Sequence, residues 1–307
     1  MMYQSRWLAD SSLLTRKSQW KKYFTFCDEL GFIDPLPSTI NMVLLYIAFM
    51  ATHLAYVSLT NYLSALWSLH DLCDLPHVDP MCFRIRQTLL GVKRSLGCKS
   101  KKARPLLVHE LRLIHASLNF GLSEDLAFWC GIIICFRGLL RKSNIVELGL
   151  AVVYGNVSRW SWGVSVVVDR TKTISFKERQ LFLPYTRIQG SIFCLEYYLD
   201  KLVVSLGKVT PSTQVISYLN KQGVLVRGTY SWLHGRIAKM CVCLRLNNVT
   251  SHSLRRGGAA ALHDAGVSVE DIKMIGDWKS SAFMGYISRT KDSRVNLDRH
   301  IVRLLFD

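Results

Sequence analysis

HSLRRGGAAALHDAG, residues 252–266, puts a histidine and two arginines at the head of a helical pattern and follows them with two glycines and a run of alanines. Ser251 reads as the cap of that helix, so His252 and Arg255, three residues apart, fall on one face. Gly257 and Gly258 each cost about 1 kcal/mol relative to alanine inside a helix, so the pair predicts another backbone packed close against it. His-x-x-Arg alone decides nothing, because the chain carries it at His109/Arg112, His252/Arg255 and His300/Arg303. Context has to separate the copies.

Downstream, Gly266 ends the helix, Ser268 with Asp271 forms a capping box for the next, and Gly276 ends that one. Trp278 follows at once, and SSAFMGYI puts Tyr286 on a short helix capped by Ser280 or Ser281. Upstream, CFRGLLRKSNIVEL sets Arg137 and Arg141 one turn apart in an apolar helix, where an unpaired guanidinium is costly. At least one of them should meet an anion, with Glu147 the alternative partner for Arg141. Alternation in WGVSVVVDR (162–170) and RQLFLPY (179–185) predicts two short strands, and Lys172 sits in the turn between them. Taken singly, each residue has a plainer reading: His252 as a satisfied histidine, Trp278 as core, Lys172 as hairpin decoration, Tyr286 as an ordinary tyrosine.

The first hundred residues are repeatedly helical. Helices are predicted in SLLTRKSQWKKYFTFCDELG up to Gly31, in STINMVLLYIAFMATHLA after Pro37, in SLTNYLSALWSLHDLCDL from Ser58, and in DPMCFRIRQTLLGVKRSLG, where Asp79 caps Pro80 and Gly97 ends the helix. CKSKKARP (98–105) then reads as a basic interdomain linker, or equally as a solvated tether. With 39 Lys+Arg against 22 Asp+Glu, the net charge of +17 favours a polyanionic partner, nucleic acid first and a membrane surface second. The length of 307 residues, half of them apolar, suits a folded protein of two domains. Nine scattered cysteines with no C-x-x-C pair or zinc spacing read as reduced core thiols of an intracellular protein. Runs such as MVLLYIAFMA and FWCGIIICF fall short of the roughly 20 residues of a spanning helix, and MMYQSRWLADSS lacks the apolar stretch of a signal peptide. A soluble protein is therefore expected.

In chain order, Arg141, Lys172, His252-x-x-Arg255, Trp278 and Tyr286 resemble the catalytic domain of the tyrosine recombinases, the phage-integrase family. The resemblance runs over essentially the whole chain. LLRKSN, HSLRRGGAA and GDWKSSAFMGYI are most similar to the recombinases of eukaryotic mobile elements, the DIRS-like, Ngaro-like and Crypton groups. It implies a mainly α fold with a small β-sheet, arranged as a two-domain C-clamp. A SAM-like helical core-binding domain would occupy residues 1–98, a basic linker 99–105 and a mixed α/β catalytic domain 106–307. It also implies a site-specific recombinase or integrase working on double-stranded DNA as a homotetramer on two duplexes, in the nucleus if the host is eukaryotic, with no membrane, metal, ATP or other cofactor.

On that resemblance Tyr286 is the nucleophile that leaves a 3′-phosphotyrosine and a free 5′-hydroxyl, and Lys172 protonates the departing oxygen. The forks of Arg141 and Arg255 suit the charge that gathers on the non-bridging oxygens, while His252 and Trp278 hold the same phosphate through ring N–H groups. Lys93, Arg94, Lys99, Lys101, Lys102 and Arg104 would follow the DNA backbone. The tail RTKDSRVNLDRHIVRLLF could dock on a neighbouring protomer. Two departures stand out: Asn144 occupies a position where the family often has an acid, and Trp278 and Tyr286 are eight residues apart where nine is common. Two rival functions stay open, a domesticated DNA-binding protein without catalysis and a type IB topoisomerase.

Overall fold

The computed structural model describes residues 8, 10–97, 103–171, 174, 178–278 and 284. The chain divides into two compact units, Met1–Lys101 and Lys102–Asp307.

The first unit consists of α1 (Asp10–Glu29), α2 (Ile40–Ala51), α3 (Tyr56–Leu72) and α4 (Phe83–Leu96). Their apolar faces meet in a core built from Tyr23 and Phe26 of α1, Tyr46 and Ile47 of α2, Leu59 and Leu63 of α3, and Ile85 of α4. The sequence predicts four helices, and two of their starts differ. α3 begins at Tyr56 rather than Ser58. α4 begins at Phe83, because Asp79 Oδ1 accepts from the Met81 amide at 2.8 Å and closes a turn instead of capping a helix at Pro80. His70, fully buried on α3, accepts from the Ser38 amide at Nε2 (2.9 Å), which leaves Nδ1 to donate to the Leu66 carbonyl (2.9 Å). That tautomer ties α3 to the segment before α2.

The second unit holds α5 (Val108–Ala116), α6 (Ser123–Arg137), the short α7 (Ser143–Val146), β1 (Val157–Trp160), β2 (Gly163–Val168), β3 (Leu181–Thr186) and α8 (Leu195–Leu206). β4 (Tyr218–Leu219), β5 (Leu225–Val226), α9 (Tyr230–Cys243), α10 (Ser251–Asp264) and α11 (Val269–Ile275) follow. β1, β2 and β3 form an antiparallel sheet in that order, with Val166 of β2 opposite Val157 and Leu183. α6 is buried on every side from Asp125 to Phe136, as a helix apolar all round must be, and α8, α10 and β4 pack against it. Among the described residues no helix is long and apolar enough to cross a membrane.

Three expectations are corrected here. The sheet has a third strand, β1, because VSRW is half-buried at Val157 and exposed at the next three positions; pairing with β2 makes it a strand, and no alternation announces it. The apolar helix stops at Arg137, where Gly138 caps it and Leu139 turns the chain at φ +50°, so Arg141 lies beyond the helix that carries Arg137. The described cysteines are free thiols, but only Cys27, Cys130, Cys135 and Cys194 are buried, and Cys73 and Cys243 are exposed.

Candidate active site

The start of α10 is fixed by Thr250, one residue earlier than the expected cap: its hydroxyl accepts from the His252 amide (3.2 Å), and the Ser253 hydroxyl accepts from the Thr250 amide (3.0 Å). The glycine pair then meets the predicted close neighbours. A Cβ on Gly257 would run into the backbone of Leu106, and one on Gly258 into the carbonyl of Phe136 near the end of α6. These approaches seat the second turn of α10 against Leu106 and the end of α6.

Arg255, only 2% exposed, uses that proximity. Its two terminal nitrogens donate to the carbonyls of Leu139 and Gly276, and its guanidinium lies 4.0 Å from the ring of Trp278. Carbonyl acceptors and an aromatic face are what a buried cation needs in place of water. The bond to Leu139 also holds the turn from which Arg141 emerges, two residues further on. The side chain of Arg141, partly buried, makes no hydrogen bond or ion pair with another described residue. Glu147 lines the same cavity without pairing with it. That cavity, about 180 Å³, is bounded by Arg141, Lys142, Ser143, Glu147, Tyr230, Ser251 and His252.

His252 is half-buried at the mouth of this cluster. Burial, followed by the charges of Arg256, Arg255, Arg141 and Lys142, pushes its imidazolium down to about 4. The ring is therefore neutral near pH 7, with one N–H to give and one lone pair to accept a proton. The structure thus gathers Arg141, His252, Arg255 and Trp278 around one place. Lys172 and Tyr286 lie outside the described residues, as do Lys99, Lys101 and Lys102. His109 and Arg112 sit on α5, away from this cavity.

Arg137 meets no anion among the described residues: it donates to the carbonyls of Phe193 (3.1 Å) and Thr186 (3.4 Å) and lies over Tyr185. Lys93 and Arg94 are exposed near the end of α4. Arg104 is committed within its own unit, bidentate to Glu110 (2.7 and 2.5 Å) and donating to the Asn247 carbonyl (2.8 Å), so the linker reading overlooked where its charge is spent. Asn144, 1% exposed, gives its side-chain amide to the carbonyl of Arg170 (2.8 Å) just beyond β2, while its backbone N–H donates to the Arg141 carbonyl (2.9 Å); its side chain bonds neither Arg141 nor His252. Sequence reading also passed over Asp277. This buried carboxylate accepts from the Thr171 hydroxyl (2.7 Å) and pairs with Arg179. An acid between a helix-ending glycine and a tryptophan was its only signal.

No family model and no curated protein sequence matches the chain. Solved structures do. The integrase of transposon Tn1549, in complex with transposon right-end DNA, superposes with a TM-score of 0.65 at 14% identity, over 98% of this chain and 96% of that one. A lambda integrase fragment, a dimer bound to a COC′ core site, gives 0.62 at 16% identity over 94% and 92% of the two chains. The XerH site-specific recombinase, bound to a palindromic difH substrate, gives 0.62 at 15% identity over 91% and 77%. With its mainly helical make-up and small antiparallel sheet, the chain has the fold of the tyrosine recombinases and integrases, the fold its motif series implied.

Proposed function

We propose that this chain is a site-specific DNA recombinase that cuts and rejoins strands through a tyrosine. The observation that carries the reading is a cavity lined by Arg141 and His252, with the charge of buried Arg255 acting on His252 and the Trp278 ring lying against Arg255, in a fold whose solved examples include DNA-bound integrases. A phosphodiester transition state concentrates negative charge on two non-bridging oxygens, and this cluster offers fixed cations for them. Arg141 brings an uncommitted guanidinium.

In the proposed step the Tyr286 hydroxyl attacks phosphorus, the Oη–P bond forms, and the bond to the 5′-oxygen breaks. The phenolic proton leaves toward His252, whose neutral ring can accept it, and Lys172 gives a proton to the departing oxygen. Attack by a second strand's 5′-hydroxyl on the phosphotyrosine reverses the chemistry and needs no ATP. The resemblance of LLRKSN, HSLRRGGAA and GDWKSSAFMGYI to the recombinases of eukaryotic mobile elements supports a role in moving such an element, in the nucleus of its host, with two duplexes held by a homotetramer.

The test is to incubate the purified chain, in excess chelator and without ATP, with plasmids carrying the DNA that flanks its gene, and then to denature. A covalent complex together with recombinant plasmids supports the reading. Relaxed plasmids without recombinants would mark a topoisomerase, and stable binding without a covalent complex a DNA-binding protein.

A further inference from the structure

The connection from β2 to β3 is held at both ends by one side chain of a distant turn. Asp277, 6% exposed and in left-handed backbone at φ +52°, accepts from the hydroxyl of Thr171 where the connection begins and pairs with Arg179 where it ends. Thr171 is itself buried, and its hydroxyl accepts from the Ile174 amide (3.1 Å). The carbonyl of Arg170, one residue before, is tied by Asn144 to the segment that follows Arg141.

The same turn serves the phosphate side. Gly276 offers its carbonyl to Arg255, and a Cβ at Gly276 would occupy the space of the Trp278 ring, which lies against the Arg255 guanidinium. Gly276, Asp277 and Trp278 thus join two structures that are remote in sequence, the arginine cluster and the β2–β3 connection. In sequence, Lys172 is the residue that follows Thr171.

We infer that Asp277 is a positioning residue, which holds the β2–β3 connection against the Gly276–Trp278 turn so that the proton donor is registered on the phosphate held by Arg255. The inference rests on the proposed recombinase reading. Asp277 touches neither DNA nor tyrosine in this scheme; its effect passes through Thr171 to the protonation of the leaving oxygen.

Its test uses two duplexes built on the cleavage site mapped from the covalent complex, one with the natural 5′-oxygen at the scissile bond and one with sulfur there. A thiolate leaves without a proton, so the sulfur duplex does not need the lysine. Asp277→Asn and Thr171→Val are expected to slow covalent-complex formation about 10- to 100-fold on the oxygen duplex, a share of what a general acid contributes. On the sulfur duplex both should run within about twofold of wild type, as expected when only protonation is impaired. Thr171→Ser, which keeps the hydroxyl, should restore the oxygen rate. Equal slowing on both duplexes would make Asp277 merely structural and overturn the inference, as would no slowing on either. A wild type that yields no covalent complex from which to map the site would instead bring down the recombinase reading.

Discussion

Arg141 and Arg255 carry the same charge in opposite circumstances, and that difference is measurable. Arg255 satisfies the Leu139 and Gly276 carbonyls from a buried position, so Arg255→Ala should cost about 3 kcal/mol in urea unfolding as well as activity, since each stranded buried group costs about 1–3 kcal/mol. The Arg141 side chain has no partner among the described residues, so Arg141→Ala should leave stability within about 0.5 kcal/mol and abolish the covalent complex. Equal loss of stability in the two variants would contradict this division. His252 adds a pH signature. Its folded value of about 4 lies below the ordinary 6.5, so below pH 6.5 the unfolded chain takes up a proton that the folded one refuses. Stability should therefore fall as the pH drops from 6.5 to about 4 and level off below, and His252→Gln should flatten that part of the curve. A phosphodiester among the four cations would relieve the repulsion, so the wild type, more than the glutamine variant, should bind DNA more tightly as pH falls from 7 to 5. His252 and Arg255 were legible because helical spacing is a local pattern. Asp277 was not, because its partner Thr171 is 106 residues away and nothing in GDW announces it.

At the scale of elements, α10 is the one the sequence described best. Two glycines where a helix prefers alanine have a single economical explanation, a neighbouring backbone, and Leu106 and Phe136 supply it. Because those obstacles are backbone, Gly257→Ala and Gly258→Ala should each destabilise the protein by roughly 1–3 kcal/mol, despite alanine's better helix propensity. A gain of stability in either variant, read by chemical denaturation, would contradict the packing. Where local pattern and tertiary pairing part company the sequence was less informative. β1 has no alternation to betray it, since three of its four residues are exposed. The apolar run through Leu140 reads as continuous helix, yet Gly138 and the left-handed Leu139 end it, and that break is what frees Arg141 from α6. Arg104 belonged by composition to a charge run, whereas Glu110, six residues on, claims it for the fold of the second unit.

Across the whole molecule, the proposed reading and the charge of +17 predict a steep salt dependence of DNA binding. If Lys93 and Arg94 each neutralise a phosphate, replacing both with alanine should lower the slope of log K against log[salt] by about 2 while leaving sequence preference intact. An unchanged slope would place the DNA path elsewhere. Deleting residues 290–307 should impair assembly of the tetramer on two duplexes in sedimentation experiments, and undiminished tetramer formation would refute docking of that tail. The mainly helical fold with its small antiparallel sheet is the fold that the motif series implied. The deciding measurement is mass spectrometry of the nucleotide-bearing peptide from covalent complexes captured under denaturing conditions with flanking DNA, for the wild type and Tyr286→Phe. A nucleotide on Tyr286 that is lost in the phenylalanine variant is the predicted result. An adduct on another residue, or one that survives Tyr286→Phe, would contradict it.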